Sequence, residues 1–117
     1  MGKKILVIDD NTDILEIITI TLQCEGFEVI SHDNPDVLSE LEKVKPDIIL
    51  LDNRLGLVNG SDLCKTIKAS AQYNQIPIIL VSAVDDLGQV ATECNADAYL
   101  SKPFDLIELE TVVKQFT

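Results

Sequence analysis

The chain has 117 residues, 46% of them hydrophobic and 25% charged. That length fits one domain whose core needs no disulfide framework, and no apolar run is long enough to cross a bilayer. The net charge of −11, from 20 acidic and 9 basic residues, repels phosphate backbones and argues against direct contact with nucleic acid; it suits a partner with a basic face or a bound cation. The opening MGKKILVIDD runs straight into charge and carries no signal-peptide core, so the expected location is cytoplasmic.

Short apolar runs alternate with helix-length segments. Ile5–Ile8 reads as a first buried strand. Residues 12–25 follow as a helix. The β-branched run Ile17-Ile18-Thr19-Ile20-Thr21 has strand propensity, but fourteen residues is long for a strand, and Ile14, Ile17, Ile18 and Leu22 form a helical stripe. Glu25-Gly26 marks the helix end. Val29–Ile30 is a second strand, and Asn34-Pro35 reads as an N-cap with proline at the first helical position. Ile48–Leu51 and Ile78–Val81 are the third and fourth strands, with Pro46 and Pro77 just ahead of them. Leu87, Val90, Ala91 and Cys94 make one helix face. Ala98–Leu100 is a fifth strand, and Leu106, Leu109, Val113 and Phe116 a last helical stripe behind an Asp105/Glu108 capping box. Cys24, Cys64 and Cys94 show no metal spacing and are expected to be reduced core residues. His32 has no ligand-spaced partner. Five βα units imply an α/β fold, one parallel sheet covered by helices on both faces.

Ligands of open parallel sheets bind outside the carboxyl ends of the strands. There the first strand ends in Asp9-Asp10, the third in Asp52, the fourth in Ser82 and the fifth in Ser101-Lys102-Pro103. Taken singly, each has an ordinary reading as a helix cap or a solvated charge. Together they bring three carboxylates, a hydroxyl and an ammonium to one edge. Such carboxylates repel unless a cation sits among them, and hard oxygen donors favour Mg²⁺, which takes one or two protein carboxylates and keeps several waters. One carboxylate then remains free as a nucleophile, with the metal, lysine and hydroxyl placed for the oxygens of a transferring phosphoryl group.

These residues resemble the response-regulator receiver domain of two-component signalling, over essentially the full length. The resemblance rests on Ile5-Leu6-Val7-Ile8-Asp9-Asp10, Ile49-Leu50-Leu51-Asp52, Gly60, Val81-Ser82-Ala83 and Tyr99-Leu100-Ser101-Lys102-Pro103. It implies a doubly wound five-stranded sheet of flavodoxin-like order 2-1-3-4-5, and residues 1–117 as a single receiver domain with no output domain. It implies Asp52 as phosphoacceptor from a sensor histidine kinase or a histidine phosphotransfer protein. Mg²⁺ would be held by Asp9, Asp10, Asp52 and the backbone carbonyl of Arg54, with Asp10 the more direct ligand. Ser82 and Lys102 would bind phosphoryl oxygens, and Ser82 and Tyr99 would relay a switch to the face of the fourth helix, fifth strand and fifth helix. That face would also serve a homodimer on phosphorylation. A cis Lys102–Pro103 bond is implied too. The protein would be a signalling phosphoacceptor, not an enzyme acting on other substrates, beyond catalysing its own phosphotransfer and slow self-dephosphorylation.

Three positions depart from the family pattern. Gly56 stands where receivers usually carry proline, which suggests a more mobile loop. The Ser82–Lys102 interval is shorter than usual, which trims the fourth-helix region. Arg54 places a long cation beside the site. A haloacid-dehalogenase-type phosphatase would want a second aspartate at position 54, where Arg54 stands. A pseudo-receiver would lack one of the five key residues, all of which are present. A flavodoxin-type protein would carry a Ser/Thr/Gly-rich phosphate loop after the first strand, which this chain lacks.

Overall fold

The computed structural model describes residues 3–33 and 38–117. In chain order the elements are β1 (Lys4–Ile8), α1 (Thr12–Cys24), β2 (Glu28–His32), α2 (Leu38–Val44), β3 (Ile48–Asp52), β4 (Arg54–Leu55), β5 (Val58–Asn59), α3 (Gly60–Ala69), β6 (Ile78–Ser82), α4 (Leu87–Glu93), β7 (Ala98–Ser101) and α5 (Leu106–Lys114). Five strands form one parallel sheet in the order β2-β1-β3-β6-β7. This is the flavodoxin-like order, with β6 and β7 as the fourth and fifth strands of the sheet. The expected N-cap at Asn34-Pro35 lies outside the described residues.

The period-2 alternation of β-strands divides the core. Leu6, Ile8, Ile49, Leu51, Ile78 and Leu80 pack with Leu41, Cys64, Ile67, Leu87, Ala91 and Cys94 on one side of the sheet. Ile5, Val7, Ile48, Leu50, Ile79 and Val81 pack with Ile18, Leu22, Leu109, Val112 and Val113 on the other. Residues 48 to 52 are all buried. At about 1.5–3 kcal/mol for each large apolar side chain taken out of water, β3 anchors the sheet.

Helix α1 keeps its helical form despite the β-branched run. Asn11 caps it by accepting from the N–H groups of Asp13 and Ile14, and the Thr19 hydroxyl donates back to the Leu15 carbonyl at 2.7 Å, satisfying a group that otherwise competes with the helix. Gly26 follows its end at φ +93. Ile17 does not join the core: it is 52% exposed, as is Ile20. The capping box of Asp105 and Glu108 is formed.

Three features differ from the sequence reading. Cys24 is exposed, unlike Cys64 and Cys94, because it falls on the solvent side of α1. Residues 54–59 form a two-stranded antiparallel hairpin, β4–β5, with Gly56 at φ +62 in its turn; glycine here meets a backbone demand that proline, with φ fixed near −65°, cannot. At the opposite end of the sheet from Asp52, Lys68 Nζ lies 2.6 Å from Asp97 Oδ2 and donates to the carbonyls of Ile76 and Asn74. Asp97 in turn accepts the Ile78 N–H. This cluster ties α3 to the starts of β6 and β7.

Gly60 opens α3 directly behind the end of β3. Its N–H donates to the Asn53 carbonyl at 2.8 Å, and a Cβ at this position would run into the backbone carbonyl of Asp52. Gly60→Ala is therefore expected to lower stability by about 1–3 kcal/mol, the usual cost of overpacking, read as a drop in the urea midpoint, and to displace the Asp52 amide resonance. A variant with unchanged midpoint and unchanged Asp52 resonance would contradict this close packing.

Candidate functional site

The register puts the chemistry at one level. Ile8 pairs with Leu51, Asp52 with Val81 and Ser82 with Ser101. Asp9, Asp52, Ser82 and Lys102 therefore leave or end adjacent strands at the same edge. The first loop is held by the Asp9 N–H on the His32 carbonyl, and the last by the Lys102 N–H on the Ser82 carbonyl at 2.8 Å. The Lys102–Pro103 bond is cis, as the resemblance implied.

Asp9, Asp52 and Ser82 are buried at 1%, 5% and 5% exposure. Lys102 Nζ donates to Asp9 Oδ2 at 3.0 Å and to Asp52 Oδ1 at 3.2 Å. The Asn11 N–H donates to Asp9 Oδ1, and the Gly56 N–H to Asp10 Oδ2 at 3.1 Å. One carboxylate oxygen from each of Asp9, Asp10 and Asp52 lies within 4.8 Å of the others. The Ser82 hydroxyl accepts from the Val84 N–H at 3.4 Å, which ties it to the loop that follows β6. These groups open on a cavity of about 570 Å³ lined by Asp10, Asn11, Asp52, Arg54, Ser82, Ala83, Val84, Asp85, Asp86 and Lys102.

Of the expected site residues, all but Tyr99 lie at this cavity or against it. Tyr99 sits outside, 51% exposed, on the α4 side, where a Cβ at Gly88 would come 3.2 Å from its hydroxyl. Arg54 lines the rim and makes no ion pair among the described residues. The sequence reading missed Asn11, Asp85 and Asp86, and it missed the Gly56 contact. These follow from the path of loops, which periodicity does not encode.

Burial raises the Asp52 carboxyl above its ordinary value of 3.8, and Asp9 raises it further; Lys102 opposes both by charge and hydrogen bond, and Asp10 adds a smaller push upward. The site is thus short of positive charge. Its donor set is all hard oxygen, clustered within ligand reach, and Mg²⁺ fits it. Beside the cavity lies an apolar groove of about 400 Å³ lined by Ile14, Ile17, Ala83, Lys102, Pro103, Phe104 and Leu106.

The raised value has a consequence for stability. A carboxyl that titrates higher in the fold than in the unfolded chain contributes stability below pH 3.8, and that contribution is lost as pH rises through the folded value. Without divalent cations, Asp52→Asn is accordingly expected to be more stable than the parent at pH 8, with the advantage shrinking as pH falls toward 3.8. Urea midpoints in EDTA measure this; an advantage that grows on acidification contradicts the charge shortage.

The chain is also similar to known proteins. The model of the response regulator receiver domain matches residues 5–114. The chain is 35% identical to the DNA-binding response regulator MtrA of Mycolicibacterium paratuberculosis, over 97% of this chain and 51% of that protein. It is likewise 35% identical to the alkaline phosphatase synthesis transcriptional regulatory protein PhoP of Bacillus subtilis, over 97% of this chain and 48% of that protein. The chain thus spans about half the length of these curated relatives. Among solved structures it resembles the chemotaxis protein CheY4 of Vibrio cholerae, at 25% identity and a TM-score of 0.89 over 100% of both chains. It also resembles the beryllofluoride-activated DrrB receiver domain, at 28% identity and a TM-score of 0.86 over 99% of this chain and 97% of that one. Strand order, the acidic cluster with its lysine, and the family match together make this chain a member of the response regulator receiver domain family of two-component systems.

Proposed function

We propose that Asp52 accepts a phosphoryl group from a phosphohistidine on a sensor histidine kinase or a histidine phosphotransfer protein. The observation that carries this is the buried Asp52 carboxylate, held by Lys102 and grouped with Asp9 and Asp10 at the floor of an open cavity. In the transfer, a bond forms between an Asp52 carboxylate oxygen and phosphorus while the phosphorus–nitrogen bond to the imidazole breaks. Asp10, Asp9, Asp52 and the Arg54 carbonyl would hold Mg²⁺, which when bound neutralises the carboxylates and the phosphoryl oxygens. Lys102 fixes Asp52 before transfer and offers its ammonium to a phosphoryl oxygen afterwards. Arg54 adds a second cation at the rim. Ser82 offers its hydroxyl to another oxygen.

The protein acts in this reading as a signalling phosphoacceptor, catalysing only its own phosphotransfer and slow self-dephosphorylation. The apolar groove shares Ala83 and Lys102 with the cavity, so the histidine-bearing partner has apolar surface to bury within reach of Asp52. With a net charge of −11, the domain itself leaves nucleic acid alone; the DNA binding named for the MtrA proteins is a property of those longer chains. Among the described residues no helix is long and apolar enough to cross a membrane, and action in the cytoplasm is part of the proposal.

Acetyl phosphate or a phosphorylated kinase is expected to label the protein in a Mg²⁺-dependent way, and Asp52→Asn to abolish labelling. Equal labelling of Asp52→Asn by intact mass would refute the assignment of the phosphoacceptor.

The switch follows from charge. A phosphoryl group adds about −1.5 to −2 of charge if it ionises like other phosphoamino acids. Ser82 moves toward the new acceptors, the loop from Ala83 to Asp86 follows, and Tyr99 turns into the space vacated. The face of α4, β7 and α5 then changes shape, for partners or a second copy to read. Phosphorylation shifts the balance only by its differential interaction with the two states. With beryllofluoride and Mg²⁺, amide shifts are expected at Ser82–Asp86 and Tyr99 as well as at Asp52. Shifts confined to Asp52 and its immediate neighbours would sink the relay.

A further inference from the structure

The turn between β4 and β5 touches the acidic cluster through one backbone bond, the Gly56 N–H to Asp10 Oδ2 at 3.1 Å. The donors to the three carboxylates differ, and two of the acids share one. Asp9 takes the Asn11 N–H and Lys102, and Asp52 takes Lys102. Asp10 is exposed, and among the described residues this peptide group is its hydrogen-bond donor. Glycine is required here twice. Its φ of +62 shapes the turn that aims the N–H at Asp10, and proline, the usual family residue, has neither that conformation nor an N–H to give.

We infer that Gly56 is a positioning residue for divalent-cation binding: its N–H fixes the Asp10 carboxylate within ligand reach of Asp9 and Asp52. The inference rests on the Mg²⁺ reading above. A carboxylate has two oxygens, and a neutral N–H on one leaves the other for a cation. An exposed aspartate with no such anchor samples several rotamers, and that freedom is lost on binding. Hydrogen-bonding partners of ligating carboxylates are typically worth about 10- to 100-fold in metal affinity. The hairpin that carries Gly56 also carries Arg54, so one small element supplies both the anchor of Asp10 and a carbonyl ligand.

The test is a Mg²⁺ titration followed by the amide resonances of Asp10 and Asp52 in the full chain and two variants. Gly56→Asn keeps the N–H and tolerates positive φ, and is expected to bind within about twofold of the parent. Gly56→Pro removes both features and is expected to weaken binding about tenfold, with the β1, β3 and β6 resonances in place. A proline variant that binds as the parent does overturns the inference, and so does an asparagine variant as weak as the proline one. A parent chain whose Asp10 and Asp52 resonances ignore Mg²⁺ overturns the metal reading itself, an outcome distinct from equal binding by all three. One measurement does not depend on the proline variant folding. In Asp10→Ala the Gly56 amide proton is expected to shift upfield and exchange faster with solvent; an unmoved Gly56 resonance removes the bond on which the inference stands.

Discussion

The ammonium of Lys102, lodged between the carboxylates of Asp9 and Asp52, is the contact on which the rest of the site depends. Both acids are almost fully buried, and a buried charge is tolerated only when paired and hydrogen-bonded. One ammonium serves two acids, and Asp10 brings a third negative charge within 4.8 Å. At that separation each pair of unit charges repels by on the order of 3 kcal/mol at an effective dielectric near 20. The site is therefore incomplete in charge as it stands. The raised titration of Asp52 comes first from its burial and then from Asp9, only partly offset by Lys102. Anything that supplies positive charge at this edge is stabilised by it, and an added phosphoryl group needs that charge still more.

What makes the arrangement affordable is the sheet beneath it. Parallel strands all end at the same edge, so functional groups from β1, β3, β6 and β7 meet without any one strand bending. The two-sided core buries alternate residues of the central strands on opposite faces, which fixes the register that sets Asp52 beside Val81. Behind Asp52 the chain turns at Gly60, where no side chain fits. Asp52 is thus held by backbone packing and by Lys102 at once. The loop after β6, in contrast, is held at Ser82 by a long 3.4 Å bond, and its residues 85 and 86 are exposed. Tightly packed groups at the site contrast with a loosely held loop beside it, which is the division the proposed switch needs.

Much of this was legible in the sequence, for a physical reason. Strands of a buried parallel sheet are continuous apolar runs, and the residue that follows each run marks the functional edge. Asp9, Asp52, Ser82 and Lys102 could be placed that way because each ends or leaves a run. The β-branched segment of α1 was readable as helix from its stripe and length. The β4–β5 hairpin was not, because two-residue strands have no period. Gly56 was read as loop freedom, whereas the structure uses it at a fixed positive φ with its N–H engaged. Cys24 was grouped with the core cysteines because residue type outweighed its place on the helix. The Lys68–Asp97 pair joins residues 29 positions apart and leaves no local signal.

Lys102 lines both the acidic cavity and the apolar groove between α1 and the start of α5. Long cationic side chains commonly set an apolar stem against one surface and a charged head toward another, and Lys102 lies where these two surfaces meet. A partner that fills the groove packs against Ile14, Ile17, Phe104 and Leu106, and in doing so covers the stem of the lysine that holds Asp52. Covering that stem excludes water from the neighbourhood of the ammonium and strengthens its pull on the carboxylates. If Asp52 takes its phosphoryl group as proposed, docking and electrostatics are coupled through this one side chain, and a macromolecular donor that fills the groove is favoured over a small phosphate ester that touches only the cavity. The half-exposed isoleucine and leucine that look misplaced on a folded domain, Ile17 and Leu106, are in that proposal the apolar surface such a donor would bury.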